Sequence, residues 1–396
     1  MSDHSRSQDR LGPRDIRYIR AVPTASTDTK HGFWNIAHDL VTRRSWRSAY
    51  SVVTELFRAL SDIYTSGGDV TYATTMGFSR ARNAYHEASR AEKVLRFETV
   101  VDRYHGLPNP ILYTAVSYAW GDPTPRHTIL VDGRPRMIAQ NLWEFLTRTE
   151  VENETRWLWI DALSISQSDP EERRNQVAIM SRIFSSADKV LVWLGDASDC
   201  GAMTMIGTMI AERYAPKRAM QGQIVIDFCE RPYWHRLWVF QEIRRAQRIE
   251  LTCGQHRMTW SEFEALFDGS IDLYKVFLPS TALEISTSAA GRMVRLRRKV
   301  IDTSIQNLLF ETYRLACADR RDKVYAILSI ATEGADGIEA DYLVTLRELG
   351  LRVLRNRYDD HPPASMSVVQ RDSLFLGKVL DVDPKDILQE LLSRML

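Results

Sequence analysis

The sequence predicts an α/β protein: a mainly parallel sheet flanked by helices, with helical N- and C-terminal extensions. Three observations predict it. Residues 157–195 read as strand, helix and strand, from the apolar run Trp157-Leu158-Trp159-Ile160 to Val190-Leu191-Val192-Trp193-Leu194 and Gly195. These runs are continuously apolar rather than alternating, which marks parallel strands covered on both faces. Eight of the ten tryptophans lie between Trp120 and Trp260, so one aromatic-rich core is expected there.

Residues 1–30 are polar and are expected to be disordered. Residues 31–108 form a helical extension. Within it, Trp46, Tyr50, Val53, Phe57, Leu60 and Tyr64 recur at helical spacing, a stripe expected to dock on the folded body. A more polar helical stretch, Ser79–Phe97, follows. The α/β domain spans 109–275. Its first strand is Ile111–Trp120. Asp132-Gly133 between the apolar runs Thr128–Val131 and Arg136–Ile138 signals a hairpin, and Ala139–Thr149 reads as a helix.

In the central unit, Asp169 suits a helix cap, Pro170 the first helical position and Glu172 the far side of a capping box. Val177, Met180, Phe184 and Ala187 share one face of that helix. Further helices are expected over Ala202–Tyr214 and, unbroken, over Arg231–Gln247, with a strand at Ile249–Cys253. Residues 276–396 form a helical C-terminal region, entered through a Ser/Thr/Ala-rich connection at Ser280–Gly291. Asp319 and Asp322 are candidate caps for the helix Lys323–Ile330.

Composition narrows the function classes. The formal net charge is +1, which gives no reason to expect nucleic acid as the main partner. No apolar run approaches a bilayer span, and the N-terminus lacks the apolar core of a secretory signal. Cys200, Cys229, Cys253 and Cys317 are widely spaced, without a CxxC pair. Reduced thiols, a cytoplasmic location and no metal site are therefore expected.

Three expected strands end on an acid: Asp122 in YAWGD, Asp161 in WIDA and Asp196 in WLGD. Ligands of parallel sheets bind outside the carboxyl ends of the strands, where acids can accept from ribose hydroxyls. Each could instead cap the turn that follows. No GxGxxG, GxxxxGK[ST] or GxSxG follows these strands, which disfavours a dinucleotide dehydrogenase, a P-loop NTPase and an α/β-hydrolase.

Glu242 is a second candidate. On an unbroken helix it shares a side with Trp238, Val239 and His235. A carboxylate beside indole and aliphatic groups is desolvated, and its pKa rises. Such a group can act as acid or base, or stabilise a cationic transition state. The competing expectation is an ion pair with Arg236 or Arg245.

SYAWGD (117–122), Asn141-Leu142, WIDALSISQSDPEERRNQV (159–177), VWLG (192–195), RPYWHRLWVFQEI (231–243) and DRRDKVYAIL (319–328) occur here in one order. In order and spacing this chain resembles fungal heterokaryon incompatibility (HET) domain proteins over roughly residues 111–345. Asp161, Gln167, Glu172, Arg173 and Gln176 fit the central block, whereas Ser164 and Ser166 stand where it usually has Cys and Asn.

The resemblance implies nonself recognition ending in growth arrest and cell death. It also implies a core resembling the Toll/interleukin receptor (TIR) domain, a flavodoxin-like sheet. Several TIR domains cleave NAD with one glutamate in a W-x-x-x-E block, and Trp238–Glu242 is the nearest match here. On that resemblance Glu242 is the catalytic candidate, and Asp122, Asp161, Trp120 and Trp238 are the substrate-binding ones. Gln167, Glu172, Arg173, Gln176, Trp193 and Gly195 are expected to be structural. No bound cofactor is expected, and NAD enters only as a substrate. The alternative is a non-enzymatic module that self-associates or recruits protein partners.

Overall fold

The computed structural model describes residue 11 and residues 15–22, 95–102, 111–151, 156–196, 201–212, 219–298, 303–360 and 362–395. The Phe33–Tyr64 stripe lies outside these. The chain divides into two compact units. One contains residues 1–20, 99–123 and 156–396, and the other contains 21–98 and 124–155.

The sheet of the first unit is mixed. Its strands run in the order β1 (Ile16–Ala21), β6 (Trp157–Trp159), β3 (Tyr113–Tyr118), β7 (Lys189–Trp193), β8 (Ile249–Cys253) and β9 (His256–Thr259). The block β6-β3-β7-β8 is parallel, as the continuous apolar runs require. β1 joins β6 antiparallel, with Ile19 opposite Leu158, and β9 returns antiparallel along β8. β3 is buried along its whole length, which suits a strand with parallel neighbours on both sides and helices over its faces.

Several expectations are corrected. Ile16–Ala21 is a strand, not part of a disordered tail. Ile16, Tyr18 and Ile19 are buried on it, and the burial of these side chains offsets the cost of ordering the segment. Arg96 and Phe97 open a strand, β2 (Arg96–Asp102), rather than closing a helix. Pro279–Thr287 is a helix, not a connection, because Ala282 and Ile285 give it a buried face. Cys253 is disulfide-bonded, whereas Cys229 and Cys317 are free, so the cysteines are not uniformly reduced.

In the second unit β4 (Pro125–Val131) and β5 (Arg134–Ala139) form the hairpin, followed by the helix Gln140–Val151. Asp132 and Gly133 turn at φ 49° and 74°. Two successive positive φ values are the mark of a type I′ turn, which Asp-Gly supplies with little strain. The start of β2 pairs parallel with β4.

The central helix spans Pro170–Ser186, and the Asp169 carboxylate accepts from the backbone N–H of Glu171 and Glu172. Glu172 does not close a capping box. Its carboxylate accepts from Ser166 N–H at 2.7 Å and Leu11 N–H at 3.3 Å, and Arg17 stands 3.5 Å away. Gln176 donates to the Asp15 carbonyl at 2.7 Å. Both side chains thus tie the central helix to the N-terminal strand. Met180 and Phe184 are buried on the face expected, and Trp159 meets Phe184 edge-on at 5.4 Å. Among the described residues no helix is long and apolar enough to cross a membrane.

Candidate functional site

Asp122, Asp161 and Asp196 follow β3, β6 and β7. Because these strands are parallel, all three lie at the carboxyl ends of the sheet. Of the three, Asp161 lines the cleft that also holds Glu242. Asp161 is partly buried, at the start of the short helix Asp161–Ser164, in a cleft of about 350 Å³. Trp120, Gln167, Arg173, Arg236, Trp238, Glu242, Asp322 and Tyr342 line the same cleft. Asp122 and Asp196 are exposed and are not among its lining residues.

Trp120 follows the end of β3, and Gly121 turns the chain after it at φ 68°, a conformation that suits glycine. The Trp120 indole N–H donates to Asp161 Oδ2 at 2.8 Å, and Asp161 Oδ1 accepts from Ala162 N–H at 2.7 Å. Gln167 reaches the Asp161 carbonyl at 3.5 Å. Burial raises the Asp161 pKa, while Arg236 and hydrogen bonds from Trp120, Ala162 and Tyr118 oppose that rise.

The segment 231–247 is not one helix. Pro232–His235 is a 3₁₀ turn, Arg236 is extended at ψ 133°, and the α-helix spans Leu237–Arg245. The break has a partner. Arg236 bridges Ala316 in parallel, Leu237 N–H donates to the Ala316 carbonyl at 2.8 Å, and Ala316 N–H donates to His235 at 2.6 Å. An outside strand segment thus takes the backbone bonds that a continuous helix would have used internally. The shift in phase removes His235 from the face of Glu242. His235 is exposed and pairs with Glu230 instead. Arg236 is turned inward, donating to the Tyr118 carbonyl.

Glu242 is 5% exposed. Ser117 Oγ donates to Glu242 Oε2, and Ser117 Oγ stands 2.7 Å from the Tyr233 hydroxyl. An ionised carboxylate only accepts, so Ser117 gives its proton to Glu242 and accepts from Tyr233. Burial pushes the Glu242 pKa up to about 7. Arg236 and the Ser117 bond work against the rise, and Asp161 adds to it. A carboxylate poised near neutrality suits acid–base work, and its charged form suits a developing cation. Of the two arginines weighed as competing ion-pair partners, Arg236 acts on the Glu242 charge and Arg245 does not. Arg245 donates instead to the Ser329 carbonyl.

Sequence reasoning missed Tyr342 and gave Arg236 and Asp322 other roles than lining the cleft. Asp322 is no helix cap. It is 5% exposed, and its two oxygens accept from the Trp238 indole at 3.2 Å and the Tyr342 hydroxyl at 2.8 Å. The signal was present in the block DRRDKVYAIL, but nothing local ties residue 322 to residue 238. Trp193 is 1% exposed within β7, and Gly195 closes that strand at φ 97°. Among the described residues no cluster of His, Cys, Asp and Glu could hold a metal ion.

The sequence profile of the family described as "Heterokaryon incompatibility protein (HET)" matches residues 113–242, from the start of β3 to Glu242. The chain is also 26% identical over 307 residues to "Heterokaryon incompatibility protein 6, OR allele" of Neurospora crassa. That match covers 59% of this chain and 45% of the Neurospora protein, so the chain spans less than half of that relative's length. No solved structure matches the chain. The matched segment supplies most of the cleft, and Ala316–Ala318, Asp322 and Tyr342 complete it from outside that segment. Residues 113–242 thus match the heterokaryon incompatibility (HET) family, and the chain is similar to a heterokaryon incompatibility protein of Neurospora crassa.

Proposed function

We propose that this protein acts in heterokaryon incompatibility, as the name of its Neurospora relative says of that protein, and that its cleft hydrolyses NAD. The observation that carries the reading is Glu242, buried in the cleft, linked through Ser117 to Tyr233 and poised near neutral pH. The bond broken is the one between nicotinamide and C1′ of the ribose, which leaves an oxocarbenium-like ribosyl group. Nicotinamide departs with the bonding electrons, water adds to C1′, and a proton is released. The Glu242 carboxylate stabilises the ribosyl cation in a site of low dielectric. Asp161 orders the Trp120 wall. Asp122, away from the cleft, acts on loop geometry rather than on the ribose.

The strand order β6-β3-β7-β8 supports this reading. It is the second-first-third-fourth order of flavodoxin-like sheets, and the chain reverses at β3, beside the cleft. This order supports the reading of a TIR-like core. The test is nicotinamide release from NAD by concentrated purified protein, with Glu242→Gln as control. No release by the wild type sinks the reading.

A scaffold function is the second reading. It is favoured by the exposed apolar side chains Phe310 and Leu374, at 62% and 60% exposure. Cell killing by Glu242→Gln at the wild-type rate selects it.

A further inference from the structure

Two arginines line the cleft, and they differ in what they already hold. Arg236 is committed. It donates to the Tyr118 carbonyl, and its charge stands beside Asp161 and Glu242. Arg173 lies in the first turns of the helix Pro170–Ser186, with its guanidinium carbon 3.6 Å from the centre of the Tyr342 ring. Among the described residues no carboxylate stands within ion-pair distance of it. Asp319 and Asp322 act on it only at longer range.

Stacking engages the face of a guanidinium, and beyond the bond to the Tyr342 hydroxyl its remaining in-plane N–H donors can take another partner. The stack is itself held. Tyr342 donates to Asp322 at 2.8 Å, and Asp322 is fixed from its other side by the Trp238 indole. Arg173 is therefore a planar cation ordered on the cleft wall before any ligand arrives, so little side-chain freedom is lost on binding. A planar fork of this kind matches two phosphate oxygens at once. Asp161 and Glu242 disfavour an anion beside Arg236, which directs the anionic part of a ligand to Arg173.

We propose that Arg173 is the phosphate anchor of the cleft, and that the site takes a phosphorylated nucleoside, a nucleotide or dinucleotide, in preference to the bare nucleoside. The choice of probe rests on the NAD reading above. The inference adds the group on the ligand and the residue on the protein that select it. The glycosidic bond then lies toward Glu242 and the phosphates toward Arg173.

The test is calorimetric titration of the full chain with ADP-ribose, adenosine and inorganic pyrophosphate. In the wild type, ADP-ribose binds at least tenfold more tightly than adenosine, and pyrophosphate competes with it. Arg173→Gln weakens ADP-ribose about tenfold or more and leaves adenosine unchanged, whereas Arg173→Lys loses less, because the charge remains and only the fork is gone. Equal wild-type affinities for ADP-ribose and adenosine, or no competition by pyrophosphate, overturn the anchor without any variant. So does an Arg173→Gln protein that binds ADP-ribose as the wild type does, or that loses both ligands equally.

The two readings fail separately. Arg173-dependent binding of ADP-ribose by a protein that never cleaves NAD overturns the glycohydrolase reading and keeps the anchor. NAD cleavage with a KM insensitive to Arg173→Gln overturns the anchor and keeps the glycohydrolase reading.

Discussion

Ser117 and Glu242 are 125 residues apart, yet the hydroxyl of one donates to the buried carboxylate of the other. Ser117 is the inward residue near the end of the central strand, and Glu242 lies in the second turn of a helix that begins at Leu237. The bond ties that helix to the carboxyl end of β3.

Burial gives Glu242 a pKa of about 7 in the folded state, against an ordinary value of 4.5. The folded protein therefore binds more protons than the unfolded chain between these values, and stability falls as pH rises through that window. At ~1.4 kcal/mol per unit, the loss is on the order of 3 kcal/mol. Denaturant melts from pH 5 to pH 8 should show this decline for the wild type and a flatter profile for Glu242→Gln. At pH 7 and above the variant should melt at an equal or higher temperature. A variant profile as steep as the wild type would mean that another group titrates.

In the proposed reaction the charged form of Glu242 is the one that would stabilise a ribosyl cation. NAD cleavage should rise with pH and level off above about 7. Arg236 holds that pKa down, so Arg236→Gln should move the rising limb to higher pH. Rates measured from pH 5.5 to 9 decide this. A limb that stays in place, or moves down, removes Arg236 from the electrostatics of the site.

Trp193 fills the core beneath β7 at 1% exposure. Trp193→Ala should cost roughly 3–5 kcal/mol, as truncation of a buried aromatic ring does. A loss below about 1 kcal/mol in urea melts would show that the region repacks around the void.

Asp169 accepts two backbone N–H bonds at the start of the central helix, at 3.0 and 3.1 Å. Asp169→Ala should cost about 1 kcal/mol, and amide exchange should accelerate in the first turn from Pro170 onward. Unchanged exchange there would show that Glu172, bonded to Ser166 and Leu11, holds the turn by itself.

By itself the sequence determined what neighbouring residues decide among themselves. Asp132-Gly133 specifies its turn because both residues tolerate positive φ. Asp169-Pro170 specifies a helix start because one accepts the free N–H groups and the other needs none. The apolar runs at 157–160 and 190–194 specify parallel strands, because only a strand covered on both faces has no use for polar alternation. The tertiary structure decided the rest. Ile16–Ala21 becomes a strand because β6 offers it an edge. Arg236 leaves the helix because Ala316, eighty residues on, takes the backbone bonds at the break. Asp322 becomes a wall of the cleft because Trp238 and Tyr342 reach its two oxygens. Glu242 owes its pKa to burial and to Arg236, Ser117 and Asp161. These are pairings between surfaces distant in sequence, and their energies depend on which groups are brought out of water together, a quantity no local pattern of residues contains.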